Sequence, residues 1–224
     1  MNTTETSRST SRCTLCLVRH GETAWNAERR LQGHIDIPLN NNGLAQAEAT
    51  AQNLDRQGHR FTALYCSDLQ RARQTAEAVM RRQGLIARHD ERLRERHYGF
   101  FQGLTYEEAE RQHPEFYRRF KERELDMAFP ERGESLAEFA RRVHEALYEI
   151  AQRHPDEHVL VVTHGGVLDI VYRIVSGEPL EAPRKVAIPN AALNWVAHDA
   201  GHWELLGWAD ESHLLHALDE LPSA

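Results

Sequence analysis

Leu17-Val18-Arg19-His20-Gly21-Glu22-Thr23 is an apolar run that breaks off on a cation, an imidazole and a glycine. Open α/β sheets hold their ligands outside the carboxyl ends of the strands, so a strand stopping on Arg-His-Gly puts a nucleophile and an anion clamp where chemistry is expected. A second run, His158-Val159-Leu160-Val161-Val162-Thr163, ends the same way, on His164-Gly165-Gly166. With 14 histidines in the chain, one His-Gly pair reads simply as a turn or helix stop. Two such pairs, each closing a strand-length apolar run, predict one site built from two imidazoles.

Around these runs, strand-length apolar stretches alternate with longer helical patterns, the signature of a largely parallel sheet covered on both faces. Strands are expected at 14–19, 62–66, about 85–89 and 158–163, with a hairpin of 192–198 and 202–208 across Asp199-Ala200-Gly201. Helical spacing predicts helices at 42–57 (Leu44, Ala47, Ala51 and Leu54 on one face, Gly58 as stop) and 68–83 (Leu69, Ala72, Ala76, Val79). A third runs from 135 to 154, opened by a Ser135/Glu138 capping box, and a fourth covers 166–176. Residues 105–128 read as irregular helices broken at Pro114, and 210–224 as a short surface helix and tail. The fold class is thus α/β: a three-layer sandwich with a mostly parallel central sheet and helices on both faces, plus a small helical insertion at about 96–134 over the active edge. Residues 1–13 read as a disordered polar tail and 14–224 as a single catalytic domain.

Composition narrows the partners. The 224 residues include 41% hydrophobic and 27% charged side chains, ordinary for a globular chain with a sizeable core. A formal charge of −7 argues against a general nucleic-acid or anionic-membrane binder, so a negatively charged substrate needs a local cationic pocket. No apolar run approaches spanning length and the N-terminal stretch lacks the core of a signal peptide, so a cytoplasmic protein is expected. Three cysteines make no even disulfide framework. Cys13-Thr14-Leu15-Cys16 spells a C-x-x-C, but without a second ligand pair it predicts buried packing thiols rather than zinc or redox chemistry.

Phosphoryl transfer accounts for the residue types. A transferring phosphoryl group spreads charge over its equatorial oxygens and needs oriented cations and donors. Arg19 offers a planar fork for phosphate oxygens, and Arg71, near the start of the helix after the second strand, aims a second one at the same edge. His20 is the expected nucleophile, and His164 the donor that stabilises transition-state charge. Gly21 and Gly165 are expected to let backbone approach the anion. Glu95, in Leu93-Arg94-Glu95-Arg96-His97-Tyr98-Gly99, is the best proton donor for the departing alkoxide, because desolvation beside bound phosphate raises a carboxyl pKa. No metal is required, since two arginines and two histidines supply the field.

Leu17 to Asn26 resembles the signature of the histidine phosphatase superfamily, phosphoglycerate-mutase-like branch. So do Gly33-His34-Ile35-Asp36-Ile37-Pro38-Leu39-Asn40, Ser67-Asp68-Leu69-Gln70-Arg71-Ala72-Arg73-Gln74-Thr75-Ala76 and Thr163-His164-Gly165-Gly166, in order between about residues 14 and 208. The resemblance implies a phosphohistidine at His20, a phosphate pocket of Arg19, Asn26, Arg71 and His164 with Thr23 and Gly165 beside it, and Glu95 as proton donor. Glu95-Arg96-His97-Tyr98-Gly99-Phe100-Phe101-Gln102-Gly103-Leu104 resembles the cofactor-dependent phosphoglycerate mutases, in which Arg96 and Tyr98 would contact substrate. Those enzymes carry a lysine where this chain has Tyr106, and their paired arginines correspond loosely to Arg118 and Arg119. Arg132-Gly133-Glu134-Ser135-Leu136 resembles the phosphatase members instead.

The favoured function is therefore a phosphate monoester hydrolase acting on a small phosphorylated metabolite, with no cofactor. The alternatives are a phosphoglycerate mutase, which would use 2,3-bisphosphoglycerate, and a non-catalytic phosphate- or phosphopeptide-binding module. His34, His97 and His113 lack metal-ligand spacing. The basic run Arg118, Arg119, Lys121 and Arg123 reads as a solvated helix face, with gathering of anionic substrate as the minor alternative, and Trp25 is expected to pack beneath the nucleophile's loop. A monomer and a homodimer both fit. The alcohol part of the substrate is not written in these motifs.

Overall fold

The computed structural model describes residues 11–215 and 219. Six strands form one sheet: β1 (Cys13–Arg19), β2 (Ala63–Cys66), β3 (Ala87–His89), β4 (His158–Thr163), β5 (Leu193–Asp199) and β6 (His202–Asp210). Their spatial order is β3-β2-β4-β1-β5-β6. The first four are parallel, while β5 runs antiparallel to β1 and pairs with β6 as a hairpin. Ala200 (φ 48°) and Gly201 (φ 86°) make its left-handed two-residue turn. Among the described residues seven α-helices accompany the sheet: α1 (Ala24–Ala27), α2 (Asn41–Arg56), α3 (Gln70–Gln83), α4 (Tyr106–Gln112), α5 (Pro114–Lys121), α6 (Leu136–Arg153) and α7 (Gly165–Ser176).

Alternation along the strands builds both cores. Cys13, Leu15 and Leu17 of β1 join Val159 and Val161 of β4 under α6 and α7, while Cys16, Val18, Leu160 and Val162 face α2 and α3. Burial on both sides is why these strands are continuous apolar runs rather than alternating ones. Cys13 and Cys16 consequently point to opposite faces, and all three cysteines are buried free thiols. Burial drives the Cys13 thiol up to about 12 and Cys16 well above its ordinary value. The C-x-x-C is packing.

Most expected elements are present within a residue or two, and the differences have causes. Cys13 already belongs to β1 because it pairs with His198 of β5, so the ordered strand starts inside the stretch read as tail; residues 1–10 lie outside the described residues. Leu44 is exposed at 47%, off the α2 stripe. The start of α2 docks through Gly43, where a Cβ would sit 2.0 Å from the Glu22 carbonyl oxygen, and this contact rolls the buried face onto Gly43, Ala47, Thr50 and Leu54. The α3 helix starts at Gln70 without a cap from Leu69; Asp36, 34 residues away, accepts from the Gln70 N–H at 2.6 Å instead. Residues 211–215 are not helical, and most of the remaining stretch expected as a surface helix lies outside the described residues. Over the 96–134 stretch, Pro114 opens α5, and Leu31, Tyr98, Phe101, Tyr106, Met127 and Phe129 form a third apolar cluster. Among the described residues no helix is long and apolar enough to cross a membrane.

Candidate active site

The sheet itself brings the two histidines together. Strands β1 and β4 are adjacent and parallel, with Arg19 opposite Thr163, so the residues that follow each strand end side by side. Neighbouring strands lie about 4.8 Å apart, and the His20 and His164 ring centroids are 5.1 Å apart at 61°. The His20 backbone N–H continues the ladder to the Thr163 carbonyl at 2.9 Å, and Asn190 Nδ2 donates to the His20 carbonyl at 2.9 Å. His20 Nδ1 lies 2.7 Å from the Gly21 carbonyl oxygen. A carbonyl only accepts, so the proton is on Nδ1 and the lone pair is on Nε2. Burial first, then the Arg71 and Arg19 charges, hold the His20 pKa well below its ordinary value, and the ring is neutral.

The two guanidinium groups are buried at this edge. Arg19 closes β1 and donates from Nη1 to the Ile188 carbonyl at 2.7 Å. Arg71, one residue into α3, donates to the Gly33 and Ile35 carbonyls at 2.7 and 3.0 Å and to His164 Nδ1 at 3.2 Å. Burial lowers its pKa to about 10, and the guanidinium stays charged at neutral pH. His164 therefore presents an acceptor at Nδ1 and donates from Nε2 to Ser67 Oγ at 2.8 Å. Both its nitrogens are used by protein partners, so in this state it holds Arg71 rather than offering a free donor. Burial and the Arg71 charge push its pKa well down.

Glu95 reaches the site from the loop after β3. Its carboxylate accepts from the Arg96 and Gly166 backbone N–H groups at 2.8 and 2.9 Å, the latter in the first turn of α7. A Cβ on Gly166 would lie 2.1 Å from Glu95 Oε1, so glycine is required there for the carboxylate to approach the helix end. Desolvation raises the Glu95 pKa, opposed by the two N–H bonds and by Arg71 and Arg19. A cavity of about 310 Å³ is walled by Arg19, His20, Asn26, Arg71, Glu95 and Tyr98 among others. A second of about 490 Å³ adjoins it across Tyr98 and Tyr106, with Arg96, Arg123 and Asp169 in its wall.

Other expected residues take different places. Thr23 is not in the wall of either cavity: it caps α1, its backbone N–H and hydroxyl both reaching Asn26 Oδ1 at 2.9 Å, and so orients Asn26. Gly165 begins α7 beside His164. At Gly21 a Cβ would sit 2.5 Å from the Gly43 carbonyl oxygen, so its smallness serves the docking of α2. The Trp25 ring packs beside Gly103. Arg118 and Arg119 are engaged at the surface with Glu115, Glu122 and Glu124, whereas Arg123, read with them as a solvated face, turns inward to Asp169 at 2.7 Å. Arg96 stacks over Phe129 and donates to the Glu134 and Met127 carbonyls. His34 donates to the Glu95 carbonyl at 2.8 Å beside His97, and no group of three or more metal-ligating side chains occurs among the described residues.

Several contributors escaped the sequence reading. Glu22 ties the histidine loop to α2 through Asn40 and Asn42, both at 2.7 Å, and Ser67 sets the His164 tautomer. Both lie inside quoted motifs, which was the available signal. Glu134 also lies in a quoted segment, Arg132 to Leu136, whereas Arg142 carried no signal beyond a charge on a helix face.

The chain matches the family model of the histidine phosphatase superfamily (branch 1) over residues 15–211. It is 40% identical over 203 residues to phosphoglycerate mutase-like protein 4 of Arabidopsis thaliana, covering 89% of this chain and 86% of that protein. It is equally 40% identical to a metal-independent phosphoserine phosphatase of the same plant, over 89% of this chain and 82% of the relative. Among solved structures, a phosphoserine phosphatase from Entamoeba histolytica in complex with 3-phosphoglyceric acid superposes with a TM-score of 0.81 at 27% identity, covering 91% of this chain and all (100%) of that one. With its family model matched along nearly the whole chain, this protein belongs to the histidine phosphatase superfamily, branch 1.

Proposed function

We propose that this protein is a phosphate monoester hydrolase that works through a phosphohistidine at His20 on a small phosphorylated metabolite, as one catalytic unit in which residues 96–134 are an insertion over the active edge. The observation that carries the reading is the fixed His20 tautomer: Nδ1–H bonded to Gly21 leaves the Nε2 lone pair beside two buried guanidinium groups and a carboxyl of raised pKa.

In the first half-reaction His20 Nε2 forms a bond to phosphorus while the ester P–O bond breaks, and Glu95 gives its proton to the departing alkoxide. Arg19 and Arg71 neutralise the charge that builds on the equatorial oxygens, with Asn26 as a further donor. Arg71 must exchange its Ile35 and Gly33 carbonyl partners at Nη1 and Nη2 for phosphate oxygens, while its Nε keeps the bond to His164 Nδ1. In the second half-reaction the Glu95 carboxylate takes a proton from water as its oxygen attacks phosphorus, and the P–N bond breaks to release phosphate and neutral His20. The guanidinium groups supply the positive field, so the scheme uses no metal and no organic cofactor. The adjoining cavity receives the alcohol portion.

A mutase reading needs a second substrate position that favours phosphoglycerate over water. Tyr106 in the cavity wall and the outward pairing of Arg118 and Arg119 support hydrolysis. The deciding assay supplies 3-phosphoglycerate with and without 2,3-bisphosphoglycerate and follows products by NMR. Release of inorganic phosphate from a panel of monoesters is expected; fast cofactor-dependent formation of 2-phosphoglycerate would reverse the assignment, and no turnover of any ester would leave a binding module.

Arg71→Ala removes one phosphate clamp and the loop contacts at Gly33 and Ile35. By the cost of losing an oxyanion donor, it should forfeit about 3 kcal/mol of transition-state stabilisation, roughly 150-fold in kcat/KM. Steady-state assay of p-nitrophenyl phosphate checks this, and a near-wild-type value would remove Arg71 from the pocket.

A further inference from the structure

The backbone that delivers Glu95 is gripped from behind by one side chain. Arg142 projects from α6 and spends all five of its N–H groups on this task. Nη1 donates to the Arg92 and Arg94 carbonyls at 2.8 and 2.7 Å, and Nη2 to the Glu95 carbonyl at 2.8 Å. Nε and the remaining Nη2 hydrogen hold the Glu134 carboxylate at 2.5 and 2.7 Å, and the guanidinium lies over the Phe139 ring at 4.6 Å. Five donors in a rigid planar fork are all a guanidinium possesses. Glu134 completes the frame: its Oε2 also accepts from the His97 N–H at 2.8 Å, and its carbonyl accepts from Arg96 Nε and Nη2 at 3.1 and 3.0 Å. His34 adds a second donor to the Glu95 carbonyl. Residues 92–97 thus hang on a largely buried ion pair that itself lines neither cavity.

We infer that Glu134 and Arg142 are positioning residues for proton delivery, an ion-paired strut that sets where the Glu95 carboxyl stands relative to the ester oxygen. The inference rests on Glu95 being the proton donor. The physical ground is that, among the described residues, two backbone N–H groups hold the Glu95 side chain at its tip, so its reach depends on where residues 94–96 stand. Misplacing a reacting group by about 1 Å costs on the order of 100-fold in rate. A lysine at position 142 keeps the charge but cannot make three carbonyl contacts and a two-point carboxylate contact together.

The test compares two substrates on each enzyme preparation: ethyl phosphate, whose leaving group must be protonated, and p-nitrophenyl phosphate, whose leaving group scarcely needs it. Wild type, Arg142→Lys, Arg142→Met, Glu134→Gln and Glu95→Gln are assayed for kcat and KM. The expected result for Arg142→Lys and Glu134→Gln is a kcat on ethyl phosphate lowered about 30-fold and on p-nitrophenyl phosphate less than about threefold, with KM little changed, so the rate ratio shifts about tenfold or more. Because both rates come from the same preparation, any misfolded fraction cancels in the ratio. A shifted ratio in Glu95→Gln with an unshifted ratio in the Arg142 and Glu134 variants would overturn this inference alone. An unshifted ratio in Glu95→Gln would overturn the proton-donor assignment and this inference with it.

Discussion

Alanine at His20 will reduce turnover of every phosphate ester by roughly six orders of magnitude, the scale seen when a covalent nucleophile is removed from a preassembled site. Leaving-group quality cannot rescue this variant, because the bond that fails to form is the one to phosphorus. The surroundings suit the imidazole to this proposed role: Nδ1 is bound to the Gly21 carbonyl, and burial beside Arg71 and Arg19 disfavours the imidazolium. Little else should change, since among the described residues the side chain makes only that one hydrogen bond. Rapid-quench experiments with 32P-labelled ester should trap an acid-labile, base-stable phosphoenzyme in wild type and none in His20→Ala. A variant rate within tenfold of wild type would exclude His20 as nucleophile.

Glu95→Gln should show the second-largest effect, and a selective one. General-acid assistance contributes about 10²- to 10⁴-fold, so hydrolysis of alkyl phosphates should fall by about three orders of magnitude while p-nitrophenyl phosphate loses far less. The same carboxyl governs the alkaline side of the pH profile. Desolvation raises its pKa in the free enzyme, and a bound phosphate dianion acts in the same direction. The acid form is present below that pKa and is lost as pH rises through it, so alkyl-ester turnover should decline toward high pH. On the acid side, the lowered pKa of His20 keeps the nucleophile neutral well below the ordinary histidine range. The wild-type profile for alkyl esters is therefore displaced toward acid, and Glu95→Gln should flatten its alkaline limb. Equal losses for alkyl and p-nitrophenyl esters, or an unchanged alkaline limb, would remove Glu95 from the role.

Glu95 and Arg142 mark the boundary between what was and was not legible. Glu95 could be singled out because a carboxylate in a Arg-Glu-Arg-His-Tyr-Gly stretch fits a chemical vacancy left by two histidines and two arginines. Arg142 could not: on a helix face it looks like any solvated charge, and its five acceptors come from residues up to 50 positions away. Arg123 shows the same blindness. It follows Arg118 and Arg119 in sequence, but a left-handed backbone (φ 55°) just past α5 turns it inward to Asp169 while they stay outside. Thr23, which caps α1 and orients Asn26, was misplaced for a related reason: a motif names residues that occur together without saying which touch ligand and which hold the others.

Hydrophobic periodicity, strand-end chemistry and the capping signals determined the α/β sandwich and pointed to one sheet edge and the candidate set His20, His164, Arg19, Arg71 and Glu95, because those patterns are local and each repeats its own structural period. Tertiary structure alone decided the His20 tautomer, the engagement of His164 with Arg71 and Ser67, the glycine demanded at Gly166 and the strut behind Glu95. Each of these depends on a hydrogen bond or a close approach between segments far apart in the chain, and such contacts are set by how strands register and helices roll.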